Sequence, residues 1–576
     1  MKKPAAMVNP LAEAVPAQPG RRRFVRQVAL GAAAFGGLAL AGCGGSGDDP
    51  EVAFAHGVAS GDPLADRVIL WTRVSTAATQ EIVLRWEVAS DSGFASIVAS
   101  GEARTTAAHD HTVKVDATGL SAGRSYWYRF NAYGQLSPVG RTRTLPSAGA
   151  TQVRLAVFSC SNYPAGYFNV YAEAAKRNDL DATVHLGDYI YEYARGGYAS
   201  ENAAALGRLS EPATETVQLA DYRRRYAQYR SDVDLQALHA AVPMVAVWDD
   251  HEISNDTWRN GAENHQPEEG DFAARKAAAI QAYHEWMPIR SGADTGQIYR
   301  SFDFGGLLAL HMLDTRVVGR DEQLSYTPYI TQTGLDAAGF TAAVGDPARQ
   351  LLGATQAGWL QQQLAASTAT WQVLGQQVLM GRMQVPAPLL FGLLGLGGVS
   401  LAEYSALATK AATAPQTLTP QELAVLQAPA IPYNLDAWDG YPVAREAVLE
   451  MARSQDKNLV VLAGDTHNAW ASDLLDAQGR QVGVEFATSS VTSPGFEDYL
   501  PGEDPAVLAG ALTQLVGPLQ YCDTARRGYM LLTATAAECR AEWTYVDTIT
   551  SRSYRAVTDK SLRVLPGAAN RRLLAA

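Results

Sequence analysis

Four apolar runs in this chain each end in a short cluster of thiol, carboxylate or imidazole side chains, and that repeated placement restricts the fold more than any other feature. The clusters are Phe158-Ser159-Cys160, Gly187-Asp188-Tyr189-Ile190-Tyr191, Trp248-Asp249-Asp250-His251-Glu252 with Asn255 close behind, and Gly464-Asp465-Thr466-His467-Asn468. A short unbroken apolar run reads as a buried strand, and an α/β sheet binds its ligands beyond the carboxyl ends of such strands. One aspartate after a strand is often only a helix cap. Four such ends in one chain imply more, because carboxylates gathered at one sheet edge repel one another unless cations hold them together.

The pattern changes along the chain. Residues 1–43 are expected to be an export signal: Arg21-Arg22-Arg23-Phe24 precedes a weakly apolar run that ends at Leu40-Ala41-Gly42-Cys43. The run is too short and too rich in Gly and Ala for a firm membrane helix, and it resembles a twin-arginine signal closing on a lipobox. Cleavage before Cys43 and lipid attachment to its sulfur would tether the chain to a membrane, and a non-lipidated signal is the alternative. The expected location is exported: periplasmic or extracellular, with a membrane-anchored lipoprotein as one form. Roughly 530 residues then remain, enough for at least two structural units.

Residues 44–50 read as a linker. From 51 to 146 short alternating segments separated by Gly, Asp, Asn and Ser predict an N-terminal β-sandwich of the fibronectin-like kind. Strand and helix units alternate from 147 to about 550, which predicts an α/β catalytic domain of strand-rich layers covered by helices, and 551–576 read as a C-terminal tail. An apolar, glycine-rich insert between 386 and 429 reads as irregular, serving as a lid, a membrane-facing loop or plain packing. Cys522 and Cys539 flank a hairpin-like segment and are either a disulfide or two small hydrophobes. Cys160 is left alone, and metal ligation is one reason for an exported chain to keep a lone thiol. A formal charge of −12, from 47 Lys and Arg against 59 Asp and Glu, argues against general nucleic-acid binding.

These motifs together resemble the PhoD-type alkaline phosphatases and phosphodiesterases, a branch of the metallophosphoesterases. The resemblance rests on Phe54-Ala55-His56-Gly57-Val58-Ala59-Ser60-Gly61-Asp62-Pro63, Gly187-Asp188-Tyr189-Ile190-Tyr191-Glu192, Trp248-Asp249-Asp250-His251-Glu252, Leu313-Asp314-Thr315-Arg316 and Gly464-Asp465-Thr466-His467, and it spans about 54 to 548. It implies a four-layer α/β/β/α metallophosphoesterase-like catalytic domain behind the sandwich. It also implies a centre of iron(III) (Fe3+) with one or two calcium ions (Ca2+), a tyrosinate and a thiolate being among the iron ligands.

Carried onto this sequence, the resemblance makes Asp188 the bridging carboxylate, with Cys160, Tyr191 and His467 on the iron side. Asp250 and Asp465 would serve the second metal, and Asn255 is a further oxygen ligand. His251 is the expected transition-state contact or leaving-group acid. Arg316, and with it Arg195, would grip phosphate oxygens, while a salt bridge to Asp314 or another loop carboxylate is the equal alternative for Arg316. Asp249 and Glu252 would orient the ligands from behind, with direct ligation as the alternative. Tyr163, Tyr189, Tyr193 and Trp258 either line the pocket or support it. The implied reaction is hydrolysis of a phosphate mono- or diester by a metal-activated hydroxide. A phospholipase D-like lipid phosphodiesterase and a non-catalytic extracellular binding protein are the alternatives. The twin-arginine export machinery is the implied partner, and the expected state is a monomer.

Overall fold

The computed structural model describes residues 49–331 and 334–576, so the export signal, Cys43 and most of the 44–50 linker lie outside the described residues. Among the described residues, two large sheets, one of ten strands and one of seven, organise the molecule. The centre of the first is parallel, with Gln152–Phe158 beside Ala182–His185 and that beside Met244–Ala246. Phe158 pairs with His185, and His185 with Ala246, so the three strands finish level. Cys160, Asp188 and the Asp249-Asp250 pair therefore leave the sheet at one edge.

The second sheet repeats this logic. Leu308–Met312, Trp371–Gly375 and Leu459–Ala463 run parallel in register, which brings residues 314–316 and 465–467 out at their carboxyl ends. Val153, Leu155 and Val157 of the first sheet share one core with Leu310, Val373, Val460 and Leu462 of the second. Two indoles also reach across: Trp543 donates to the Ala487 carbonyl at 3.0 Å and Trp371 to the Thr535 carbonyl at 2.7 Å. Helices Leu219–Arg230 and Phe272–Trp286 contribute to that core, while Gly353–Ala366 and Pro442–Ser454 pack in a second one. No helix among the described residues is long and apolar enough to cross a membrane.

Four expectations need correction. The N-terminal β-rich region packs two layers around a core of its own, but one of those layers is shared with the larger sheet. Ile97–Thr105, Ile82–Ala89, Ser125–Ala132 and their short neighbours form a separate sheet, but Val58–Gly61, Arg67–Arg73 and Thr112–Thr118 extend the ten-stranded one. The seam is the pairing of Gly61 with Met244. A Cβ on Gly61 would lie 2.2 Å from the Pro288 carbonyl oxygen and 2.5 Å from that of Met244, so a bare backbone is required for this approach. Alternation in the sequence marks strands without naming their partners.

Second, the 386–429 insert is ordered, with helices Ala387–Leu393, Leu401–Thr413 and Pro420–Leu426 closed by pairing of Gln384–Pro386 with Ala430–Pro432. Capping boxes at Ser400 and Thr419 set the starts of its later helices, a signal hidden among the apolar residues. Third, Cys522 and Cys539 are free thiols. Cys522 lies in a strand of the seven-stranded sheet and Cys539 opens a strand of the ten-stranded one, because the hairpin is formed by Arg527–Thr535 with Cys539–Val546. Fourth, the segment set apart as a tail adds strands Ala556–Val564 and Leu574–Ala575 to the large sheet.

Candidate metal centre

Turns beyond the strand ends aim the side chains. Cys160, Asp188, Asp465 and His467 all adopt left-handed backbone conformations, with φ of 61°, 57°, 62° and 64°. Each costs a non-glycine residue about 1–2 kcal/mol. Four such residues at one place are stored strain of the kind that clusters at functional sites. The Cys160 amide donates to the Gly187 carbonyl at 3.1 Å, tying the first loop to the second. Glu252 binds the second to the third: its carboxylate accepts the amides of Asp188 (3.0 Å), Tyr189 (2.6 Å) and Asp249 (2.7 Å).

The result is a continuous string of donors. Ligating atoms of Cys160, Asp188 and His467 lie within 4.8 Å of one another, as do those of Asp188, Asp250 and His251, and those of Asp249, Asp250 and Asp465. Asp188 belongs to the first two groups and Asp250 to the last two. Tyr191 joins the first: its hydroxyl donates to Asp188 Oδ2 at 3.0 Å, lies 3.2 Å from His467 Nε2 and accepts from Ser493 Oγ at 2.6 Å. His467 Nδ1 lies 2.8 Å from the Pro494 carbonyl oxygen. A carbonyl only accepts, so Nδ1 carries the proton and Nε2 is left as the ligand nitrogen.

The electrostatics are those of a cage built for positive charge. Burial, and then the neighbouring Asp188, pushes the Cys160 thiol and the Tyr191 phenol well above their ordinary ranges. Burial also raises Asp249 well above the carboxylate range, although Arg316 opposes it, and raises Asp256 to about 7 with help from Asp436 and Asp250. Each of these shifts favours the protonated form. Loading cations would displace the protons, so metal uptake and proton release are linked.

Two buried oxygens make the same point. Asn255 Oδ1 and Asp249 Oδ2 have no hydrogen-bond partner among the described residues. The Asn255 amide nitrogen donates to Glu263 Oε2 at 3.1 Å, which fixes the oxygen as the atom turned elsewhere. A buried acceptor left bare costs about 1–3 kcal/mol unless something fills it. The donor set divides by chemistry. A thiol, a phenol and an imidazole suit a highly charged transition ion, whereas Asp250, Asp465 and Asn255 offer the oxygens that calcium prefers.

His251 is 1% exposed, stacks on Tyr191 with ring centroids 4.2 Å apart, and sets Nδ1 2.7 Å from Glu192 Oε2. Burial acts to raise Glu192, but the His251 charge and the bonds from His251, Asn264 and the Asn255 amide outweigh it and hold the carboxyl below its usual range.

Of the two readings of Arg316, the geometry shows the salt bridge. Arg316 has no exposed surface, and its fork is spent on Asp249, on Asp436 (2.8 Å) and on Asp465 (3.1 Å). This is the carboxylate partnership: the covered guanidinium neutralises the acidic loops. Its partner is not Asp314 alone, whose carboxylate instead accepts the Arg316 amide at 2.7 Å. Arg195 is likewise taken, paired with Glu211 at the surface and donating to the Ser210 carbonyl at 2.8 Å. Glu252 spends its carboxylate on the loop amides, whereas Asp249 pairs with Arg316 and also belongs to a donor group. Tyr193 packs at a tilt on His251 with ring centroids 5.4 Å apart, while Tyr189 is buried against His239 and Tyr163 packs on Tyr229. Trp258 is bridged to Gly261.

The sequence reading missed Asp436, Tyr198, Ser493 and Asp256. Asp436 sits in Tyr433-Asn434-Leu435-Asp436-Ala437-Trp438, an aromatic and acidic stretch that follows no apolar run. Its density of Asp and aromatic residues was the available signal. Ser493 and Tyr198 carry no local mark.

Comparison with known proteins fits this geometry. Residues 155–543 match the family model of the PhoD-like phosphatase, and 41–146 match that of the PhoD-like phosphatase N-terminal domain. Alkaline phosphatase D of Bacillus subtilis (strain 168) is 36% identical over 516 residues, covering 86% of this chain and 78% of its own. The solved structure of PhoD superposes with a TM-score of 0.74 at 33% identity, covering 93% of this chain and 94% of its own.

Proposed function

This chain belongs to the PhoD-like phosphatase family and is a phosphoric ester hydrolase, and on that premise we propose that its site holds cations in two compartments joined by Asp188. Cys160, Tyr191 and His467 would hold iron(III), and Asp250, Asp465 and Asn255 would hold calcium. Bound there, the cations supply Lewis-acid activation of water and offset the charge that grows on the phosphoryl oxygens. The chain's own residues do the rest. The Pro494 carbonyl keeps His467 Nε2 unprotonated. Glu192 holds His251 by Nδ1, which leaves Nε2 to offer a proton or hydrogen bond to the departing ester oxygen. Arg316 keeps the acidic loops together without competing for substrate. We read the two helix-backed sheets as the four-layer α/β/β/α arrangement, and the N-terminal strands as a fibronectin-like sandwich sharing one sheet with it.

The observation that carries this reading is the membership of Asp188 in two donor groups at once. Its test is metal removal. Protein loaded with iron and calcium is expected to hydrolyse p-nitrophenyl phosphate or its bis ester and to absorb visible light through phenolate or thiolate bonded to iron. Calcium chelation should abolish turnover, and calcium should restore it. Undiminished activity after exhaustive chelation, or a colourless iron-loaded protein, would overturn the assignment.

Residues 1–43 belong to the same proposal as a twin-arginine signal with a lipid-bearing Cys43, which places a monomeric enzyme at the outer side of a membrane. Mass spectrometry of exported protein is expected to find an acylated Cys43 as the first residue. A mature chain that begins elsewhere and carries no lipid contradicts it.

A further inference from the structure

The 386–429 insert supplies none of the donors described above, yet its tip shares a cavity with them. A cavity of about 280 Å³ is lined by Asp250, Asp465 and His467 and also by Leu393, Leu394 and Leu396. The insert is anchored by the buried Leu389 and Leu390 of its first helix, while Leu393 and Leu394 at the end of that helix stay part-exposed. Leu396 then sits 48% exposed on a turn that only glycine can make: Gly395, Gly397 and Gly398 have φ of 68°, 86° and 133°. A Cβ on Gly398 would lie 2.1 Å from the Pro388 carbonyl oxygen. The chain therefore spends three left-handed glycines to hold a leucine at the mouth of a cavity that also carries acidic donors.

We propose that Leu393, Leu394 and Leu396 form a specificity subsite for an apolar arm on the phosphate ester, an alkyl or aryl group attached through the ester oxygen. The inference rests on the hydrolase reading above and deepens it. Its occupant follows from continuity. A phosphoryl group held near Asp250 and Asp465 has its organic substituent in the same cavity, where these leucines stand with Leu324, Leu435, Phe496 and Leu500 as its apolar lining. At about 280 Å³ the space is near the lower end of ligand pockets, a size that matches one short arm. Contact with the leucines removes apolar surface of both partners from water, and the gain scales with the length buried.

A series of n-alkyl phosphates from ethyl to octyl tests this, used as competitors of p-nitrophenyl phosphate or bis-p-nitrophenyl phosphate hydrolysis by the metal-loaded enzyme. Whether each competitor is turned over or only bound, its competition constant should fall with chain length, by up to about fourfold per methylene over the first carbons. Leu396→Asp, on a half-exposed side chain, and the Leu393→Ser/Leu394→Ser pair should each flatten that slope. The readout is the slope and not the value for any one ester. A flat series in the unmodified enzyme, or an undiminished slope in both variants, overturns the subsite while leaving the hydrolase reading intact. Failure of the metal-loaded enzyme to cleave either p-nitrophenyl ester removes the hydrolase reading and the subsite with it.

Discussion

Asp188→Asn is expected to abolish hydrolysis, lowering kcat by about 10³-fold or more, beyond the 10–100-fold typical of residues that only orient a metal ligand. The substitution keeps the shape of the side chain and an oxygen that can accept from the Tyr191 hydroxyl, now at 3.0 Å from Oδ2. What it removes is the negative charge common to the Cys160/His467 group and the Asp250/His251 group. An amide has one carbonyl oxygen to offer where the carboxylate offers two, so both compartments cannot be served at once. Elemental analysis should accordingly show the variant short of its metal complement, and turnover of p-nitrophenyl esters should fall with it. An Asp188→Asn enzyme with full metal content and ordinary turnover would show that this carboxylate bridges nothing.

Arg316→Ala is expected to weaken the fold itself. Its guanidinium is covered completely and pairs with Asp249, Asp436 and Asp465, with Asp250 also 3.7 Å away. Burial acts against its charge, but those four carboxylates more than offset the cost and hold its pKa well above the ordinary value. Arg320 also reaches Asp436 but none of the other three in the ion pairs observed. Removing one partner of a buried charge network leaves the others uncompensated, a loss of about 3–5 kcal/mol. The urea midpoint of chelated protein should therefore fall, with calcium recovering part of the loss because a cation can take over the same carboxylates. A chelated variant as stable as the parent, with only substrate affinity reduced, would return Arg316 to the phosphate-gripping role.

Much of this centre was legible before any coordinates, and for a definite reason. Buried parallel strands must be apolar throughout, so the first polar residues after them are conspicuous, and Cys160, Asp188, Asp250 and Asp465 all stand at that boundary. Leu459–Ala463 is such a strand, with Asp465 two residues beyond its end. Failures came where the deciding contact is distant in sequence. Thr112–Thr118 and Arg67–Arg73 alternate as sandwich strands do, but the close approach at Gly61 adds them to the catalytic sheet. Cys522 and Cys539 are near neighbours along the chain and lie in different sheets. An arginine two residues after Asp314 looks equally suited to a phosphate or a carboxylate until Asp436, 120 residues away, is seen beside it.

The order of apolar runs and polar ends, by itself, determined that an α/β sheet would carry thiol, carboxylate and imidazole groups at its carboxyl edge. Local patterning suffices for that, since strand burial is written residue by residue. Tertiary structure alone decided which donors share an ion, which arginine is spent on charge balance and where the insert's leucines lie. Those outcomes depend on left-handed turns at Cys160, Asp188, Asp465 and His467 and on loops from two sheets meeting in space. Such turns are unfavourable for these residue types taken singly, and only the packed surroundings make them the lowest-energy choice.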